Sequence, residues 1–367
     1  MRKHGTWFLL VLAVLCPVCF IGYGIIVHAE RARAAYVNDS PLSLPEQEIR
    51  EFSPDITGTY DLKQASLLPS RPVLNCKYYN SKDFMGSVTA VDSASNAGPA
   101  TAAGSTSPVI PTAGTIAGNA VSTGVIAGGV VPHHLLAGKM IASFFKTISE
   151  SSPDTLVIIA PNHGRIGHNS INTSLLGWST DLGTLENDTV LTNRIISKTG
   201  ASQDNTLMEE EHSISSLIPY IRHYMPKVKI VPVLLHGNYP ANKSTELGIQ
   251  LAGELSGTAG TAGMPVTSAT SKTAIIASVD FSHYLDAAAA DKMDEKTLKA
   301  IKAFDIKSIS MMGNDNLDSP PSIIVLLSAM KELRATSLEV TGHDNSSVIA
   351  GKGADYTTSY FTLLFRY

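Results

Sequence analysis

The sequence predicts an α/β protein: a mostly parallel or mixed β-sheet covered by helices, preceded by an N-terminal transmembrane helix. Three observations lead there. Short, continuously apolar runs rich in Val and Ile recur along the chain, the signature of strands buried on both faces. Helical patterns alternate with them, which implies a sheet whose strands are joined by covering helices. From Trp7 to Val27 the chain carries no charge, and about 20 such residues suffice to cross a bilayer.

In chain order, Met1-Arg2-Lys3-His4 precedes that first apolar run. Basic residues ahead of such a run favour an N-terminus left in the cytoplasm. Residues 1–29 are therefore expected to be a signal anchor, with the bulk of the chain tethered outside the membrane. Arg31 and Arg33 on the far side weigh against this orientation, and Val27-His28-Ala29 resembles a cleavage site. Cleavage and secretion is the alternative, and a buried soluble helix a third reading. Cys16 and Cys19 fall inside the run, which leaves Cys76 alone in the rest of the chain. That part can form neither an internal disulfide nor a thiolate metal cluster.

Residues 30–70 read as a linker. Charged residues make up only 16% of the sequence and the net charge is −4, so no basic footprint marks a nucleic-acid binder. The shortfall of charge belongs to the N-terminus and to two stretches of Ala, Gly, Ser and Thr. These are expected to be low-complexity inserts at 86–124 and 256–272.

Four strands follow from the apolar runs. Gly128–Val131 leads into Pro132-His133-His134, and Thr155–Ala160 into Pro161-Asn162-His163-Gly164. Lys229–Leu235 leads into His236-Gly237, and Ala274–Val279 into Asp280-Phe281-Ser282-His283. Helices are expected over 137–148, 189–197, 213–224, 292–304 and 322–333. In sheets of this kind the ligand crevice lies beyond the carboxyl ends of the strands, and here those ends carry His and Asp. A single strand-end His is ordinary turn chemistry, but four together predict one polar crevice. Imidazole is the commonest ligand for Zn, Cu and Fe, and two His with a carboxylate suit Fe(II). No HExxH, Walker loop, GxGxxG or GxSxG is present, so serine-hydrolase and nucleotide-binding readings lack their usual support. Hydrolase or phosphorylase-like chemistry on such a sheet lacks a nucleophile motif.

The ordered pieces Val131-Pro132-His133, Pro161-Asn162-His163-Gly164, Glu211-His212-Ser213 with Leu217-Ile218-Pro219, and Asp280-Phe281-Ser282-His283-Tyr284 resemble the Memo family, component B of the AmmeMemoRadiSam system. Arg71-Pro72-Val73 with Tyr78-Tyr79 looks like that family's opening segment, and Ile324–Leu333 like its penultimate helix. The resemblance spans 71–367 apart from the inserts. It implies the three-layer αβα fold of class III extradiol dioxygenases, with a metal near His133 and His163.

The family's third metal-side residue is usually a Cys, and the aligned residue here is Asp318. Thiolate would favour copper, whereas carboxylate restores the set typical of Fe(II) oxygenases. Fe(II) is thus the foremost expected cofactor, with Cu or Zn as the others. The alternative is that the metal has been lost and Asp318 is a loop cap. The family's Pro-His-Ala-Gly-Tyr is here Pro132-His133-His134-Leu135-Leu136; the Tyr is missing, and His134 is a substitute ligand for His133.

His283 sits where extradiol enzymes place an acid/base histidine, Asp280 is expected to orient it, and His212 is a third catalytic candidate. Glu209-Glu210-Glu211 reads as an ordinary dipole complement of a first helical turn. His236 is expected to be a strand-end residue only, and His168, His223 and His343 surface residues. The resulting expectation is a metal-dependent, redox or dioxygenase-like enzyme acting on an unidentified small molecule. A degenerate binding or scaffold module is the rival. Partnership with other AmmeMemoRadiSam proteins rests on analogy.

Overall fold

The apolar runs fold into one large mixed sheet with helices on both faces. The computed structural model describes residues 72–96, 124–164, 169–255, 272–351 and 356–367. The chain enters through β1 (Leu74–Asn75) and α1 (Ser81–Asn96), then β2 (Ile126–Val131), α2 (Gly138–Glu150) and β3 (Thr155–Asn162). Short strands β4 (Ile171–Thr173), β5 (Trp178–Thr180) and β6 (Gly183–Leu185) precede α3 (Thr189–Thr199) and β7 (Ser202–Gln203). Three short helices, α4 (Asn205–Glu210), α5 (His212–Ser215) and α6 (Ile218–Tyr224), lead to β8 (Lys229–His236) and α7 (Ala241–Leu255). The last part holds β9 (Thr273–Ser278), β10 (Phe281–Leu285), α8 (Ala287–Lys302), α9 (Ile306–Ser310) and α10 (Pro320–Glu332). It ends with β11 (Ser337–Asn345), α11 (Ser346–Ile349) and β12 (Thr357–Arg366).

The sheet runs β10-β12-β2-β9-β3-β8-β4-β7, with β11 paired to β12 as well. Its centre, β2-β9-β3-β8, is parallel throughout. On either side β12 and β4 pair antiparallel to it. A separate small sheet joins β1, β5 and β6. Alternation along β3 shows why the centre must be covered twice. Leu156, Ile158 and Ala160 face a core built with α1, α2 and α6, whereas Val157 and Ile159 face one built with α7, α8 and α10. A strand with both faces apolar is stable only between two helix layers.

The N-terminal transmembrane helix is corrected. Among the described residues no helix is long and apolar enough to cross a membrane. The longest, α1 and α8, have 16 residues, about 24 Å of helix against roughly 30 Å of hydrocarbon. The apolar helix α10 spends its side chains inside the protein, buried from Pro321 to Met330. Residues 1–29 and the linker 30–70 lie outside the described residues. The expected signal anchor, membrane partner and outer-side localisation, which rested on the N-terminal helix, are corrected with it.

The first insert also begins later than composition suggested. Residues 86–96 belong to α1, because Phe84 and Val88, one turn apart, are buried against Tyr220 and the α2 core. Residues 97–123 and 256–271 lie outside the described residues.

Helices α7 and α10 meet backbone to backbone at Gly248. A Cβ there would stand 2.4 Å from the Val325 carbonyl oxygen and 2.7 Å from Ser328 Cβ. Ala is the better helix former by about 1 kcal/mol, but overpacking a tight contact costs about 1–3 kcal/mol, and backbone cannot swing aside. Gly248→Ala is expected to lower the urea midpoint without changing the slope. An unchanged or higher midpoint would show that the two helices separate freely.

Candidate metal centre

Because β2, β9 and β3 run parallel, their carboxyl ends open onto the same edge of the sheet. Pro132-His133 follows β2, His163 follows β3 and Asp280 follows β9. The Val131↔Ser278 register sets Ser278 beside His133. The turn before α10 brings in Asp318, whose N–H donates to the Asp280 carbonyl at 3.1 Å. Asp318 is not the helix cap; Ser319 is, accepting the Ser322 N–H ahead of Pro320 and Pro321.

His133 is buried at 2% exposure. Asp318 Oδ2 lies 3.2 Å from His133 Nε2 and 3.3 Å from His163 Nε2. Two donors bound to one ion at 2.0–2.2 Å and about 90–110° apart are separated by about 2.8–3.6 Å, so both spacings fit shared ligation. Asp318 Oδ1 is buried with no hydrogen-bond partner among the described residues, and an unpaired buried carboxylate oxygen calls for an ion or a water.

The far nitrogen of each ring is also held. His133 Nδ1 is 3.0 Å from Ser278 Oγ, whose own hydrogen goes to the Ser213 carbonyl at 2.6 Å. Ser278 can therefore only accept from the ring, which puts a proton on Nδ1 and makes Nε2, facing Asp318, the nitrogen that would present its lone pair to a bound ion. His163 Nδ1 is 2.9 Å from Glu211 Oε1, and the His163 backbone N–H donates to Glu211 Oε2 at 2.7 Å. Carboxylate and hydroxyl partners on the remote nitrogen are what orient metal-binding histidines.

Charge reinforces the arrangement. Burial opposes ionisation of Asp318, but His133 and His163 outweigh it and hold the carboxyl far below the usual range. Burial likewise opposes protonation of His163, yet Asp318 and Glu211 push it up to about 10. Glu211, despite burial, is drawn down to about 2 by His163 and its neighbours. Burial and the adjacent His133 and His163 push His212 down to about 3.

The other expected residues fall into three groups. His212 joins the cluster: its ring stacks on His163 at 4.4 Å and lies 5.3 Å from His133. Asp280, expected to orient His283, engages His133 instead, accepting its backbone N–H at 3.0 Å, with the other carboxylate oxygen 3.6 Å from Nε2. His283 sits in β10, half-buried, with Nδ1 unpartnered among the described residues. Register shifts flank it, and Tyr284 after it adopts φ 60°, a strained backbone of the kind that re-aims side chains. His134 turns to Tyr360, 2.6 Å from its hydroxyl. His236 accepts a turn N–H from Asn238. His223 pairs with Asp92, and His343 with Asp294, which also accepts from Ser282. His168 lies outside the described residues.

Two supporting residues were not singled out from the sequence. Glu211 looked like one of three helix-start acids, yet the three engage different partners. Glu209 and Glu210 hold Asn75 and Lys77, and Glu211 holds His163. Ser278 did carry a signal, as the one hydroxyl in the apolar run Ala274–Val279; a buried polar group there needs partners.

The model of the family described as Memo-like protein matches residues 123–363, which include every residue of this cluster. The chain belongs to the Memo-like family. A MEMO1 family protein of Methanopyrus kandleri is 28% identical over 240 residues, covering 62% of this chain and 78% of its own. One from Pyrobaculum aerophilum is 30% identical over 217 residues, covering 58% and 73%. A crystal structure of an uncharacterized Escherichia coli K12 protein overlays with a TM-score of 0.40 at 11% identity, covering 60% of this chain and 91% of that one. Among the described residues of this Memo-like chain, the groups that could hold an ion are His133 with His163 and His212, His133 with Asp280 and Asp318, and Asp291 with Asp294 and His343.

Proposed function

We propose that the cluster is the metal centre of a dioxygenase-like oxidoreductase acting on a small molecule, with His133 Nε2, His163 Nε2 and Asp318 as ligands. One observation carries this reading: a single oxygen of the Asp318 carboxylate lies 3.2–3.3 Å from two imidazole nitrogens whose opposite nitrogens are both held. A His-His-carboxylate set with open positions suits Fe(II) best, then Cu or Zn. When bound, Fe or Cu would supply one-electron redox reactivity, and any of the three would supply Lewis acidity.

The chain's own groups do the rest. Ser278 and Glu211 aim the two rings, and Asp280 fixes the His133 backbone. His283, half-buried and with Nδ1 unpartnered among the described residues, is the group we assign to accept or deliver a substrate proton.

The test is metal uptake by the full chain, followed by oxygen consumption with a catechol panel. Wild type is expected to bind one Fe(II) per chain and His163→Ala none. A wild type that takes up no Fe, Cu or Zn removes the centre. One that loads metal but neither oxidises any substrate nor cycles redox supports a binding module instead.

A further inference from the structure

Three imidazoles, not two, meet at the cluster. One ring nitrogen each from His133, His163 and His212 lies within 4.8 Å of the others. Three ligands of a common ion at 2.0–2.2 Å stand about 2.8–3.6 Å apart, with no pair beyond about 4.4 Å, so side-chain rotation of up to about 1–2 Å brings the three nitrogens onto one ion. His212 has that freedom, since 42% of its side chain is exposed.

The ring is also pre-aimed. Glu211 Oε1, which holds His163 Nδ1 at 2.9 Å, lies 3.3 Å from His212 Nδ1. One carboxylate oxygen therefore sits at the Nδ1 side of both stacked rings, and their Nε2 atoms are left for a shared target. The Tyr78 ring packs against that of His212 with centroids 5.9 Å apart. Asp280, the competing fourth donor, has one oxygen committed to the His133 N–H, and its other lies 3.6 Å from His133 Nε2.

We infer that His212 is a third imidazole ligand of the ion held by His133, His163 and Asp318. The inference rests on the proposed metal centre and sharpens it. Three nitrogens and one carboxylate oxygen leave two positions of a six-coordinate ion open instead of three. A nitrogen-rich set also selects against Mg and Ca. The substrate class narrows to molecules that reach the ion through at most two donor atoms.

The experiment uses Cu(II) as probe on the full chain, counting imidazole nitrogens by pulsed electron paramagnetic resonance and measuring affinity by competition. Wild type is expected to show three imidazoles and His212→Ala two, with affinity lower by about 10–100-fold. Free imidazole added to His212→Ala should restore the third. His212→Gln is the second variant, and the wild-type count is decisive even if neither variant folds. Copper bound with two imidazoles in the wild type, or with an unchanged count in the variants, overturns the role of His212 and leaves the centre standing. No copper uptake by the wild type overturns both.

Discussion

Asp318→Asn is expected to weaken Fe(II) and Cu(II) binding by more than about 100-fold. Loss of a supporting partner alone costs about 10–100-fold, and this substitution removes an anionic ligand that both His133 and His163 face at 3.2–3.3 Å. The amide keeps the shape of the carboxyl, so the loss measures charge and donor strength and not packing. A second consequence is visible without metal. Asp318 is one of the two carboxylates that raise His163, so the imidazole titration followed by NMR should move toward its ordinary range. Calorimetric titration with each metal checks the first effect. Unchanged affinity would remove Asp318 from the ligand set.

Glu211→Gln is expected to destabilise the metal-free protein by about 2 kcal/mol near pH 5.5, because it removes the buried carboxylate, 3% exposed, that pairs with His163 and leaves that imidazole without its counter-charge. The pH profile identifies the cause. Glu211 titrates near 2 in the folded chain against an ordinary 4.5. Its contribution is therefore present above about 4.5 and is lost as pH falls toward 2. His163 titrates near 10 against an ordinary 6.5. Its contribution is full below about 6.5 and is lost as pH rises through 10. The pair thus contributes most between about 4.5 and 6.5, and the difference between wild type and Glu211→Gln should shrink on both sides of that window. Urea unfolding across pH measures it. A deficit of constant size at every pH would mean that Glu211 acts through packing alone.

Much of this site was legible before any coordinates. β3 and β9 are continuous apolar runs, and such runs have few alternatives to a doubly covered strand. His133, His163 and Asp280 follow directly from strand ends. Asp318 came only through family resemblance, since the turn Asn316–Ser319 has no pattern that points to the crevice. Glu211 was hidden by its neighbours: three successive acids at a helix start read as a dipole complement, and nothing local distinguishes the one that turns inward.

The C-terminal strand β12 was not anticipated, although it lies beside β2 and pairs Leu363 with Val130. Its run Tyr360–Phe365 is locally strand-like, but its place depends on a partner far away in sequence. The apolar run Trp7–Val27 lies outside the described residues, among which no helix is long and apolar enough to cross a membrane.

What the sequence determined by itself was a buried parallel sheet whose strand ends carry imidazole and carboxylate, because β-branched apolar runs and the turns after them are local properties. What the tertiary structure decided was which nitrogen each histidine presents. His133 takes its orientation from Ser278, 145 residues away, and His163 from Glu211, 48 residues away. A ring's proton sits where its hydrogen-bond acceptor is, and an acceptor that distant is chosen by the fold.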